Sequence, residues 1–220
     1  MQEILPYLQA CPLFEGILPE NIQGMLGCLG ARPVSAKKGQ TIFREGDSTD
    51  FVGIVLRGSV RLLRDDYYGN RSIVANIAPM QLFGESYAFS GAQSLPVSVV
   101  AEEDSSILLL DSRRITVCCS NACAFHSRVI FNLLRLVATK NLVLHQKIQI
   151  TSKRTTREKL MTYLLSQAKL HRSSTFTIPY DRQALADYLE VDRSGLSAEI
   201  SKLRREGILE SEKNTFTLLQ

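Results

Sequence analysis

The chain has 220 residues, 45% of them hydrophobic and 22% charged, with a formal net charge of +4 at pH 7. That is an ordinary globular composition, long enough for one large or two ordinary domains. It excludes a disordered or fibrous chain, and no run approaches the roughly eighteen apolar residues of a membrane span. The charge is unevenly placed: residues 152–220 hold 12 Lys and Arg against 9 Asp and Glu, and the rest of the chain 14 against 13. A local basic face of this kind suits a nucleic-acid partner better than uniform basicity does.

In chain order, the first sixteen residues, MQEILPYLQACPLFEG, lack a basic start and a long apolar core, so no secretion signal is expected. Five cysteines (Cys11, Cys28, Cys118, Cys119, Cys123) without scaffold spacing fit a reducing compartment, and a cytoplasmic location is expected. Short helical patterns cover Ile4–Leu8 and Pro19–Leu29. From about Ala31 to Asp111 the texture turns to short strands at Thr41–Phe43, Val52–Leu56, Ser59–Leu63, Ser72–Ile77, Val97–Val100 and Ile107–Leu110. Turn signals at Lys38-Gly39, Glu45-Gly46-Asp47, Arg57-Gly58 and Tyr68-Gly69-Asn70 separate them, which predicts a barrel or sandwich.

A long helix follows. Ile130, Leu134, Val137, Asn141, Leu144, Ile148 and Thr151 are spaced 4-3-4-3-4-3, a heptad seam that predicts a two-fold helix pair, the other reading being a helix packed on its own domain. Asn141 on that seam suits a register-setting polar pair. The basic stretch SKRTTREK (152–159) is expected to be a hinge near phosphates. A helix over Thr156–Leu170, a short strand over Thr175–Ile178, two short helices and a terminal hairpin then predict a winged helix-turn-helix. In that motif Leu185, Ala186 and Leu189 line one helix and Leu196, Ile200 and Leu203 the next, with Val191 plugging the turn. The second helix opens on Arg193, Ser194 and Ser197, basic or small residues able to approach bases and phosphates, so double-stranded DNA is the expected partner. The expected divisions are 1–120, 121–151 and 152–220.

Taken together, CPLFEGI (11–17), IFREGD (42–47), GIVLRGSVRL (53–62), YGNRSIVANI (68–77), LFGES (82–86), RTTREKL (154–160) and VDRSGLS (191–197) resemble the CRP/FNR superfamily of bacterial transcription regulators. The resemblance implies an α+β chain: an N-terminal double-stranded β-roll, a cyclic-nucleotide-binding-like jelly roll, then a long dimerisation helix and a C-terminal winged helix-turn-helix. It implies a homodimer on an inverted repeat, with RNA polymerase as a further partner if the chain activates, and no membrane partner. Arg193 stands where the family reads guanine, Arg182 where it holds phosphate, and Ser194 and Ala198 replace other base-reading residues. Lys202 and Lys213 are further phosphate candidates.

In cyclic-AMP-binding members the phosphate cassette runs from Gly-Glu to an Arg-Ser pair. Gly84-Glu85 are present here, but Leu95-Pro96 occupy the Arg-Ser positions. An apolar side chain cannot pair with a phosphate, and losing such a contact costs on the order of 2–5 kcal/mol. Cyclic AMP is therefore not the expected effector, and a less anionic ligand near Tyr87, Leu95 and Asn141 is. The oxygen-sensing members' N-terminal cysteine cluster is missing. On an unbroken helix, however, Cys119, Cys123 and His126 of CCSNACAFH (118–126) would share a face, with Cys11 or Cys28 completing a metal or iron–sulfur site. The other reading of these thiols is packing. A nucleotide-binding-like module acting on a protein partner and a thiol- or metal-based redox regulator are the alternatives. An enzyme is not expected: His126, His145 and His171 lack a matching acid or nucleophile elbow, and no phosphate loop appears.

Overall fold

A computed structural model of the protein describes residues 4–48, 50–65, 71–117 and 124–219. It divides into two compact units, Met1–Ala138 and Thr139–Gln220. Among the described residues no helix is long and apolar enough to cross a membrane.

The first unit opens with α1 (Leu5–Ala10) and α2 (Pro19–Cys28), each with proline in its first turn, where a missing N–H costs nothing. Two four-stranded antiparallel sheets follow. One has the order β1 (Arg32–Ala36), β8 (Ser105–Asp111), β3 (Phe51–Arg57), β6 (Leu82–Phe83). The other has the order β2 (Thr41–Phe43), β7 (Ser98–Ala101), β4 (Val60–Asp65), β5 (Arg71–Ile77). All six expected strands form, within two residues at either end. β1 was not among the expected strands: its Pro33 cannot serve a central strand but is tolerated here at the sheet's edge. The two-residue β6 and two short helices, α3 (Glu85–Ser90) and α4 (Ser112–Thr116), are likewise additions to the expected elements.

One apolar cluster fills the space between the sheets, with Val55, Val60, Phe83, Val97, Val99 and Ile107 at its centre. Gly53 faces Phe83 across the β3–β6 pair, and a Cβ there would lie 2.1 Å from the ring, so only glycine admits the aromatic. A second cluster joins α1 and α2 to the outer side of the β1–β8–β3 sheet and takes in Cys11, Val129 and Leu133.

Helix α5 (Ala124–Thr151) is unbroken, and at ~1.5 Å per residue spans about 40 Å. Its first half belongs to the first unit. There Val129 and Leu133 are buried, and the buried Asn132 donates to the Leu13 and Glu15 carbonyls at 2.9 Å. Its second half belongs to the other unit, where Ile150 joins the helix-turn-helix core. Of the seven seam residues, Leu134, Val137, Asn141, Leu144 and Ile148 are exposed, and Ile130 and Thr151 at its two ends are half-buried.

The second unit continues with α6 (Thr156–His171), β9 (Thr175–Thr177), α7 (Arg182–Leu189), α8 (Arg193–Arg205) and the hairpin β10 (Leu209–Glu212), β11 (Thr215–Leu218). The wing sheet has the order β10-β11-β9. The basic stretch 152–159 is not a free hinge throughout. A capping box between Thr155 and Glu158 starts α6 at Thr156, so half of the stretch is helical.

Candidate nucleic-acid interface and sensor pocket

The helix-turn-helix is built by its caps. Asp181 accepts the Ala184 N–H at 2.8 Å and so starts α7. At its end Glu190 takes a left-handed conformation (φ 54°), and the Val191 N–H closes on the Ala186 carbonyl at 3.1 Å. The Lys159 ammonium donates to the Glu190 carbonyl at 3.2 Å. Val191, half-buried, packs on the unit's core as expected. Asp192 then caps α8, accepting from the Ser194 hydroxyl and, at 2.9 Å, from the Gly195 N–H. These two bonds, the Ser194 hydroxyl first, hold its carboxyl below the usual range.

Leu196, Ile200 and Leu203 bury one face of α8. Arg193, Ser194, Ala198, Ser201, Lys202 and Arg205 are exposed on its other sides, and Ser197 is half-buried. The Ser194 hydroxyl is committed to Asp192 as a donor, which leaves its oxygen as an acceptor. Arg193 makes no ion pair among the described residues, so its fork is available.

The other predicted cations divide. Lys202 and Lys213 are exposed, Lys213 at the tip of the wing with φ 52°. Arg182 is half-buried: its guanidinium lies over the Phe216 ring, 5.6 Å from the centroid, and Nη2 donates to the Lys213 carbonyl at 3.3 Å. Burial lowers its pKa. It braces the wing against α7, through partners more than thirty residues away in the chain. Arg157, in the basic stretch, pairs with Glu206 and Glu199 of the α8 segment. Nothing in its local sequence signals that pairing, because the partners lie over forty residues away.

Between the two sheets of the first unit lies a cavity of about 10 Å³, walled by Phe43, Phe51, Phe83, Tyr87, Leu95 and Val97 with Gly84 at its edge. That is about the space of a single water. Among the described residues no charged side chain lines it. Leu95 is fixed by its backbone, exchanging hydrogen bonds with Gly46 (2.8 Å) and Asp47 (2.9 Å), and its side chain forms part of the cavity wall. Of the expected pocket residues, Gly84, Tyr87 and Leu95 line the cavity. Glu85 is buried in the first turn of α3, Pro96 is half-buried, and Asn141 is exposed on α5 in the second unit; none of the three lines it.

The pattern of the cyclic nucleotide-binding domain family matches residues 33–121, and that of the Crp-like helix-turn-helix domain matches residues 158–220. The chain belongs to the CRP/FNR superfamily of transcription regulators. The transcriptional activator protein FnrL of Cereibacter sphaeroides is 26% identical to this regulator over 193 residues, 81% of this chain and 72% of that one. The cyclic AMP receptor protein of Thermus thermophilus is 35% identical over 104 residues, 47% of this chain and 46% of that one. The solved structure of DNR from Pseudomonas aeruginosa shares the fold, with 20% identity, a TM-score of 0.51, and coverage of 98% of this chain and 93% of that one.

Among the described residues no positive side chain lines the cavity, and a cyclic nucleotide's phosphate calls for one. The proposed metal or redox group is not assembled by its described members. Cys11 is buried in the first unit's apolar core, with its thiol near the Met80 carbonyl, and burial pushes its pKa up to about 11. Cys28 is exposed at the end of α2, and His126 is buried. Among the described residues no three His, Cys, Asp or Glu side chains are grouped to hold a metal ion. Cys118, Cys119 and Cys123 lie outside the described residues.

Proposed function

We propose that this regulator works as a parallel homodimer reading an inverted-repeat operator, each copy placing the first turns of α8 in a major groove. The observation that carries the reading is the uncommitted Arg193 fork on the first turn of a firmly capped helix. Arg193 supplies a bidentate contact to guanine, and Ser194 and Ser197 sit near base edges as acceptors or spacers. Lys202 and Lys213 contact phosphates, and Arg182 does so with the N–H groups it does not spend on the wing. The exposed seam Leu134, Val137, Asn141, Leu144 and Ile148 supports pairing along α5. Functionally the chain divides into a sensor (1–120), a pairing helix (121–151) and a reader (152–220). Half-sites then lie about one helical turn apart, ~34 Å.

The closed aromatic cavity supports an uncharged, compact effector, one that opens the wall instead of pairing with a cation. The relative named as an activator supports action at promoters with RNA polymerase as second partner. The test is binding to the duplex that full-length protein enriches from a random pool. Arg193→Ala is expected to lose about 1–3 kcal/mol there and to relax preference at one base pair per half-site. Unchanged affinity and unchanged preference would refute the placement of α8.

A further inference from the structure

Arg157 stands at the start of α6, in the basic stretch whose sequence suggests phosphate contact. Its guanidinium is committed elsewhere. Nη1 and Nη2 reach the two carboxylate oxygens of Glu206 at 3.2 and 2.6 Å, and Nη1 lies 3.6 Å from Glu199 Oε1. Glu199 and Glu206 are seven residues apart, two turns along one side of the α8 segment. Glu199 Oε1 is closed to solvent and has no hydrogen-bond partner among the described residues, so the guanidinium is what compensates its charge. The same pairing lowers the Glu206 pKa and raises that of Arg157.

Apolar packing through Leu196, Ile200 and Leu203 holds α8 down but has no direction of its own. A planar fork gripping one carboxylate with two bonds, beside a second carboxylate, is directional. It fixes how far the helix is rolled about its axis. A roll of about 20° would carry a side-chain tip ~6 Å from the axis through ~2 Å, enough to take a 2.9 Å hydrogen bond out of range.

We propose that Arg157 is a positioning residue for DNA reading: it locks the roll of α8 through Glu199 and Glu206, and it does not contact phosphate itself. The proposal rests on α8 being the reading helix. The alternative occupant of the same fork is a DNA phosphate, and the two make opposite predictions.

The experiment uses full-length protein, the duplex enriched from a random pool and a random-sequence duplex, over a salt series. Arg157→Ala is expected to lower the ratio of specific to random affinity by about tenfold, the weight of one base contact. The random-sequence affinity and its salt slope should stay as in the wild type. Arg157→Lys, which keeps the charge but not the fork, should fall between the two. Glu206→Gln should also lower the ratio, although removing a negative charge near DNA would tighten binding if electrostatics alone mattered. A thermal melt of each variant accompanies the binding data, and the two milder substitutions carry the test if Arg157→Ala does not fold. The proposal is overturned if the ratio holds while the random-sequence salt slope falls by about 2 per dimer, as expected for two lost phosphate contacts. Arg193→Ala separates the two layers. If it leaves the ratio intact, or if no sequence is enriched, the placement of α8 is at fault and not the role of Arg157.

Discussion

Leu144→Ala tests the pairing helix against a built-in control. Leu144 is on the heptad seam of α5 and 61% exposed in the single chain. Leu142, two residues earlier, is 70% exposed but points some 130° away from the middle of the seam at ~100° per residue. Burying a whole leucine side chain gives about 1.5–3 kcal/mol. The still-exposed three-fifths of Leu144 is then worth about 1–2 kcal/mol per chain, and two-fold symmetry doubles it. Leu144→Ala is expected to weaken the dimer by about 2–4 kcal/mol, a factor of roughly 30 to 1,000 in its dissociation constant. Leu142→Ala stays on the surface and should cost at most about 0.5 kcal/mol per chain, under roughly sixfold per dimer. Sedimentation equilibrium over a concentration series measures both. A Leu142→Ala effect as large as that of Leu144→Ala, or a wild-type chain monomeric throughout, refutes the seam.

Two further outcomes concern the sensor unit. Titration with cyclic AMP in a calorimeter is expected to give no binding at micromolar concentrations, because the apolar Leu95 lines the cavity and no cation does so among the described residues; a micromolar dissociation constant sinks that account. Cys11 makes the first unit alkali-sensitive. Its folded pKa, raised by burial from 9.0 to about 11, means the thiol ionises more readily in the unfolded chain. The stabilisation is complete below pH 9 and is lost as pH rises through 11, amounting to about 3 kcal/mol at about 1.4 kcal/mol per unit. Urea melts at pH 8 and pH 10.5 should show about 2 kcal/mol of that loss in the wild type and none of it in Cys11→Ala. Equal slopes in both proteins would remove burial as the cause.

What could be read from the sequence was what short-range periodicity carries. Leu196, Ile200 and Leu203 repeat at helical spacing, and the strands from Thr41 to Leu110 sit between Gly and Asp turns, so both appear in the order in which they fold. β1 was hidden because Pro33 argues against a strand, and only its place at the sheet edge makes that proline harmless. The state of the cavity was equally hidden. Its size depends on Phe43, Phe51 and Phe83, which come from three separate strands and meet only after both sheets form. Arg157 and Arg182 read as DNA-facing cations because charge is visible in sequence, whereas the glutamates and the ring that engage them are distant in the chain.

The Gly53–Phe83 pair has a consequence for engineering. The ring lies where a Cβ of residue 53 would be, so the two positions share one volume between neighbouring strands. A ring trimmed at residue 83 leaves a dry apolar void of the kind that takes up benzene-sized molecules. Adding a methyl at residue 53 in the same chain would refill part of it. The space between the two sheets is therefore adjustable at two positions by size alone, without placing a single charge in the roll.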